Sequence, residues 1–278
     1  MSKILILGAR GNLGPALIKA YEGYEVLAWD RSELDITDRD TVMQRISEVR
    51  PDVVYNCAAY NAVDKAESEP EVASLINGTA VGYIAEACNA ISCVYVQYSS
   101  EQVFPGEKES GYNEDDIPNP INAYGVSKLL GETELQKHHD KYYIIRTEWL
   151  YAKPERESSK KSFNEIMLDL AAVNPELKGV ADEIGKPTYV KDLAEASKRL
   201  VDSKVSFGIY HLVNEGMASR LDWTKEILHI NRIDKPVNPV SGSNFPRPAR
   251  RPHFGLLNNT KFTKLRSWQD ALRDYFNS

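Results

Sequence analysis

Cysteine is scarce. Cys57, Cys88 and Cys93 are the three in 278 residues, an odd number lying in apolar or helical stretches. None stands at a metal-ligand spacing with a histidine, and the five histidines are scattered apart from the adjacent His138 and His139. The expectation is reduced thiols in a cytoplasmic protein with no disulfide framework and no bound metal. Long hydrophobic runs are also missing: nothing approaches the ~18 apolar residues that a membrane span requires. The run from Lys3 to Leu7 is too short for a signal peptide and breaks at Gly8. Positive charge is not in excess. A formal net charge of −6 works against binding nucleic acid or an anionic membrane, since both need a positive field. Internal repeats and low-complexity tracts are absent as well.

What is present is enough for a stable globular enzyme: 42% hydrophobic residues on a chain long enough to bury most of its unfolded surface. Short apolar runs at Ile4 to Leu7, Glu25 to Trp29, Asp52 to Asn56, Val94 to Tyr98 and Tyr142 to Arg146 read as buried strands. Between them, Leu13 to Tyr21, Asp40 to Val49, Glu71 to Asn89 and Tyr124 to His138 have helical length and spacing. Strands interleaved with helices predict a doubly wound, Rossmann-like α/β fold around a parallel sheet. After Tyr151 the rhythm changes. A charged surface loop is expected over Lys153 to Lys161, helices at Phe163 to Val173 and Val190 to Val201, and a strand at Gly208 to Val213 returning to the sheet. Five prolines between 236 and 252 predict an irregular stretch before the last helix. The expected division is a dinucleotide-binding domain over 1–151 plus about 205–232 and a smaller substrate lobe over about 152–204 and 233–278. That lobe would close over the sheet's carboxyl edge, where doubly wound folds bind ligands.

Directly after the first strand comes Gly8-Ala9-Arg10-Gly11-Asn12-Leu13-Gly14. Glycines at this G-x-x-G-x-x-G spacing let the backbone turn sharply and let a pyrophosphate approach the amino end of the next helix, where free N–H groups and partial positive charge reside. Alone the motif could be a tight turn; at a strand-to-helix junction it points to a dinucleotide. The second strand ends at Asp30, placed to accept hydrogen bonds from an adenosine ribose. Arg10 and Arg31 could instead pair with a 2′-phosphate or simply be solvated. NADH and NADPH both stay open.

Tyr124 and Lys128 stand four residues apart, on one face of a helix. Ketone reduction needs a proton donor at oxygen while hydride arrives at carbon, and an ammonium beside a phenol lowers its pKa towards that task. With 15 tyrosines in the chain, the spacing by itself is weak evidence and could mark an exposed helix pair. Position strengthens it: the strand Val94 to Tyr98 runs into Ser99-Ser100, where a hydroxyl can donate to the same carbonyl oxygen.

These residues resemble the extended short-chain dehydrogenase/reductase family and, within it, the dTDP-4-dehydrorhamnose reductases. The likeness runs through nearly the whole chain. Leu34-Asp35-Ile36-Thr37-Asp38 resembles the family segment bordering the adenine. Asn56-Cys57-Ala58-Ala59-Tyr60-Asn61-Ala62-Val63-Asp64-Lys65-Ala66-Glu67 is similar to its N-A-A-A-Y-T-A-V-D-K-A-E stretch beneath the cofactor, the most specific match. Arg146 to Tyr151 resembles R-T-S-W-V-Y, Asp182 to Thr188 resembles D-Q-x-G-x-P-T, and Pro248 to Pro252 resembles P-A-R-R-P. The resemblance implies a catalytic set of Ser100, Tyr124 and Lys128, with serine where threonine is usual. It implies cofactor contacts from Gly8, Arg10, Gly11, Asn12, Leu13, Gly14, Asp30, Arg31, Asp35, Ile36, Ala58, Ala59 and Tyr60, together with Tyr124 and Lys128. Substrate contacts are implied for Ser100, Gln102, Tyr124, Trp149 and Arg251.

The physical chemistry agrees. The Trp149 indole offers a flat face to a deoxysugar ring, though it could be core packing. Arg247, Arg250 and Arg251 suit a substrate diphosphate, though they could be a solvated cluster. Two departures stand out: Glu101-Gln102 replaces the family's Asp-Tyr after the serine, and Phe254-Gly255 replaces Asn-Ser after the arginines. The expected activity is NAD(P)H-dependent reduction of the 4-keto group of a nucleotide-linked 6-deoxyhexulose. Rivals are a sugar-nucleotide dehydratase or epimerase, and a non-catalytic NAD(P)-binding regulatory subunit. The expected partner is a nucleotide-sugar, neither nucleic acid nor membrane, and a homodimer is compatible with the sequence.

Overall fold

A computed structural model describes residues 2–153 and 161–277. In chain order it runs β1 (Lys3–Leu7), α1 (Gly14–Ala20), β2 (Glu25–Trp29), α2 (Arg39–Val49) and β3 (Val53–Asn56). Then come α3 (Val63–Ala66), α4 (Pro70–Ser74), α5 (Ala80–Ile91), β4 (Val94–Ser100), α6 (Ala123–His138), β5 (Tyr142–Thr147) and β6 (Leu150–Tyr151). The remainder is α7 (Phe163–Val173), β7 (Leu177–Val180), β8 (Ile184–Gly185), β9 (Thr188–Tyr189), α8 (Val190–Asp202), β10 (Gly208–His211), β11 (Ala218–Ser219), α9 (Arg220–Ile230), β12 (Val237–Val240) and α10 (Trp268–Asn277).

Six parallel strands form one sheet in the order β10-β5-β4-β3-β1-β2. The central strands β1 and β3 are mostly apolar and buried because both faces are covered, whereas the edge strand β2 is partly exposed. Ile4 and Ile6 point to one core and Leu5 and Leu7 to the other, as a period of two requires. The chain leaves β1 towards β2 on one side and returns to β3 on the other, so β1 and β3 flank the topological switch point, the usual ligand crevice. The predicted Rossmann-like class is what the sheet shows.

Three details differ from the sequence reading. The helix expected over Glu71 to Asn89 is interrupted: α4 and α5 are joined by a π-helical turn, Leu75–Thr79. The short pairs β6·β9, β7·β12 and β8·β11 were not foreseen, because two- to four-residue strands carry too little alternation to detect. The packing also places two helices on the other side of the expected division. α8 lies against α1, its Leu193, Ala194 and Leu200 in the core beneath Ile4 and Tyr55, whereas α9 packs on α7, β7 and β12. Of the expected charged loop, residues 154–160 lie outside the described residues. Among the described residues no helix is long and apolar enough to cross a membrane.

Candidate active site

The loop after β1 is shaped by its glycines. Gly8 has φ +70, and a Cβ there would sit 2.5 Å from the Ala58 amide nitrogen; one on Gly14 would sit 2.3 Å from the Ala9 carbonyl oxygen. The turn thus draws the loop after β3, with Ala58, against its own backbone and brings α1 close behind. Arg10, Gly11 and Asn12 are exposed at its outer rim, Leu13 is buried behind them, and no side chain caps the first turn of α1. Gly8 and Gly14 make the turn close-packed, and its cradle is open at exposed Gly11, where a Cβ would meet only the Gly8 carbonyl oxygen at 3.2 Å; a dinucleotide pyrophosphate fits there.

Acidic and basic groups at the end of β2 are already paired. Arg10 Nε lies 2.6 Å from Asp30, and Arg31 Nη2 lies 3.1 Å from Asp35. Hydrogen bonds from Ser32, with lesser help from Arg10, hold the Asp30 carboxyl down at about 2. Thr37 does the same for Asp35, whose pKa is lowered. Ile36 is buried in the core with Leu34, so it supports this edge rather than lining it.

The loop after β3 is held from below by a residue that the sequence reading missed. Asn77, in the π-helical turn, accepts from the Tyr60 amide at 2.8 Å and donates to the Tyr60 carbonyl at 3.0 Å and to Ser127 Oγ at 2.9 Å. Half-buried Ala58, Ala59 and Tyr60 are thereby fixed to α6. A π-helical insertion is a common device at functional sites, and here it turns a buried amide towards a loop. Nothing in the sequence distinguishes Asn77 from an ordinary helix-surface asparagine.

The Tyr124 and Lys128 helix, α6, starts at Asn122, whose Oδ1 accepts from the Gly125 amide at 2.7 Å. A buried ion pair anchors it: Arg146 on β5 donates to Glu132 at 2.9 and 2.7 Å, and Glu132 also accepts from Ser99 Oγ at 2.5 Å. Tyr124 and Lys128 are both buried and Ser100 lies at the carboxyl end of β4. The Tyr124 hydroxyl donates to Asn61 Oδ1 at 3.5 Å, and Ser100 lies near enough to act on the phenol. Ser100 Oγ donates to Glu101 at 2.6 Å and accepts from the Gln102 amide at 3.2 Å. The Gln102 side chain in turn accepts from Asn122 at 2.9 Å.

One electrostatic expectation is corrected. The sequence reading has Lys128 lowering the phenol; instead burial, reinforced by the Glu101 charge, pushes the Tyr124 pKa above its ordinary range, and Ser100 only partly opposes this. The Lys128 ammonium donates to the Tyr98 carbonyl at 2.6 Å, and burial brings its own pKa down to about 8. Tyr124 therefore stands fully protonated at neutral pH, the form able to give a proton away.

Next to Ser100, Glu101 and Glu148 form a pair of buried carboxyls beside Gly255. Glu148 accepts from the amides of Lys186 at 2.7 Å and Leu257 at 3.0 Å. Burial, and then the Glu101 charge, raise its pKa well above the usual range, and burial raises Glu101 too. Trp149, next in the chain, has φ 45, a left-handed conformation that a bulky residue adopts only when held. Its ring stacks on Trp223 at 6.0 Å and touches Gly185, and the Arg220 guanidinium lies over it at 3.7 Å. Arg220 was not singled out in the sequence, where it reads as a helix-start arginine. Arg251 pairs with Asp64 at 3.0 Å, which ties the late arginine segment to the region after β3. Arg247 pairs with Glu183, and Arg247, Arg250 and Arg251 line a cleft of about 420 Å³. Among the described residues no group of three or more His, Cys, Asp and Glu could hold a metal.

Comparison with known proteins follows the same line. A dTDP-4-dehydrorhamnose reductase of Mycolicibacterium smegmatis is 38% identical over 281 residues, covering 98% of this chain and 84% of its own. The crystal structure of the Bacillus anthracis dTDP-4-dehydrorhamnose reductase in complex with NADP superposes with a TM-score of 0.94 at 35% identity, over 99% of this chain and 98% of that one. A Clostridium acetobutylicum dTDP-4-dehydrorhamnose reductase also superposes at 0.94, with 37% identity over 99% and 98%. UDP-glucose 4-epimerase of Thermotoga maritima, at 19% identity and a TM-score of 0.82, shares the fold alone. Residues 2–278 match the family model described as the RmlD substrate binding domain, and the chain belongs to that family, the dTDP-4-dehydrorhamnose reductases.

Proposed function

We propose that this chain is an NAD(P)H-dependent oxidoreductase that reduces the 4-keto group of a nucleotide-linked 6-deoxyhexulose, converting dTDP-4-dehydro-L-rhamnose to dTDP-L-rhamnose. The observation that carries the reading is the convergence of the buried Tyr124 phenol and Lys128 ammonium of α6 on the carboxyl end of β4, where Ser100 stands. Full-length similarity to reductases, one of them solved with NADP, supports it.

The cradle of Gly8, Gly11, Asn12, Leu13 and Gly14 would hold the pyrophosphate. Arg10, Asp30, Arg31 and Asp35 border the adenosine end, with Ile36 buried behind them, and Ala58, Ala59 and Tyr60 form the floor. A reduced nicotinamide bound there supplies hydride. Tyr124 gives its proton to the carbonyl oxygen, and Ser100 hydrogen-bonds the same oxygen as charge develops on it. Lys128 serves the ribose hydroxyls. Gln102, Trp149 and Arg251 lie on the substrate side. A cytoplasmic site of action suits the three free cysteines.

The test is to incubate the pure protein with dTDP-4-keto-6-deoxy-L-lyxo-hexulose and each reduced cofactor, following nicotinamide absorbance. Stoichiometric oxidation of the cofactor is expected; none with either cofactor would overturn the reading. Tyr124→Phe should lower turnover by roughly 10²- to 10⁴-fold while NADPH still binds. Near-normal turnover in that variant would remove Tyr124 from the proton-donor role.

A further inference from the structure

Among the arginines around the substrate cleft, Arg247 is neutralised by Glu183 and Arg251 by Asp64. Arg250 is exposed. Arg220 differs from all three. It opens α9 directly after the Ser219 cap, is half-buried, and lies over three rings: Trp149 at 3.7 Å, Phe163 at 5.1 Å and Trp223 at 5.2 Å. Among the described residues, its guanidinium makes no side-chain hydrogen bond or ion pair. Rings stacked on a guanidinium cover its faces but not the N–H donors, which lie in its plane. The fork is therefore held rigid, partly stripped of water and left open at its edge.

Arg220 is also within electrostatic reach of both Ser100's neighbour and the late arginines. It feels the charges of Glu101, next to Ser100, and of Glu183, next to Arg247, and it is repelled by Arg247 and Arg251. Burial lowers its pKa to about 10, so it remains a cation at neutral pH. A fixed cation among other cations, with five donors and no acceptor, is relieved by an acceptor-only anion with two oxygens to offer.

We infer that Arg220, backed by the Trp149 indole, anchors a phosphate of the substrate's diphosphate, so that the substrate meets the guanidinium rather than the bare face of the ring. The inference rests on the nucleotide-sugar reading above. It adds a positioning residue between the reacting end and the late arginines, and it assigns Trp149 the task of holding that cation.

Calorimetry with dTDP on the full-length protein tests it. Arg220→Gln should weaken dTDP binding about tenfold or more, the worth of a hydrogen bond to a charged group. The dependence of dTDP affinity on salt should flatten in that variant, with NADPH affinity and Tm unchanged. Arg220→Lys keeps the charge and the ring contacts without the fork; it should fall between the two and stands in if the glutamine variant folds poorly. Unchanged dTDP affinity in both variants would overturn the anchor while leaving the reductase reading intact. So would parallel losses of dTDP and NADPH binding with a lowered Tm, which mark a structural role. A wild-type protein that binds no dTDP would instead sink the nucleotide-sugar reading, and the anchor with it.

Discussion

Lys128 is a buried cation with a neutral partner, the Tyr98 carbonyl, and its pKa of about 8 lies below the ordinary lysine value of 10.5. A lysine depressed in the folded state costs stability in full below the folded pKa, because the fold must carry a charge that the unfolded chain solvates freely. The cost fades as pH rises from about 8 to 10.5, where the unfolded chain loses its proton as well. The shift corresponds to about 3 kcal/mol. Lys128→Met should therefore raise Tm by a few degrees at pH 7, and melts at pH 7, 9 and 10.5 should show that gain shrinking. A gain independent of pH would mean that the burial cost lies elsewhere.

At the scale of elements, the π-helical turn between α4 and α5 fastens the loop after β3 to α6. Asn77 satisfies both the amide and the carbonyl of Tyr60 and reaches Ser127 one turn from Tyr124. Asn77→Ala leaves those groups without partners and should cost about 1–3 kcal/mol, read as a lowered urea midpoint. NADPH affinity should fall several-fold in the same variant, since the loop proposed as the cofactor's floor loses its support. A lowered midpoint with unchanged NADPH affinity would assign the turn to stability alone. The buried Arg146–Glu132 pair works in parallel, setting α6 against β4 and β5 so that Tyr124 and Ser100 share one spot.

For the molecule as a whole, the substrate side is not a loosely attached lobe. One hydrophobic core runs from Ile4, Tyr55 and Val96 under the sheet, through Tyr151 and Tyr189, to Trp223, Trp268 and Tyr275. The rings of Tyr151, Tyr189 and Tyr275 meet at 5.3 to 5.7 Å, joining β6, β9 and α10. Arg266 binds Asp192 of α8 and Asp274 of α10 at 2.7 Å each, closing the same seam. Calorimetry should accordingly record a single unfolding transition with matching calorimetric and van't Hoff enthalpies. Two resolved peaks would show that the shared core does not couple the two parts.

The glycine turn, the strand-to-helix alternation and the Tyr124 to Lys128 spacing were legible in the chain because each is local: a few neighbouring residues decide whether a strand ends in a sharp bend or which helix face a side chain occupies. Asn77, Arg220 and the Glu101–Glu148 pair were not, since their meaning comes from partners tens of residues away in the chain. The placement of α8 on the sheet and α9 on the outer pairs was likewise settled by which apolar face found a match. The raised pKa of Tyr124 was set by the fold too, because burial and the Glu101 charge act on the phenol while the Lys128 ammonium turns to the Tyr98 carbonyl. Spacing along a helix fixes which groups are neighbours; only packing sets how much water remains between them, and desolvation decides which charge survives.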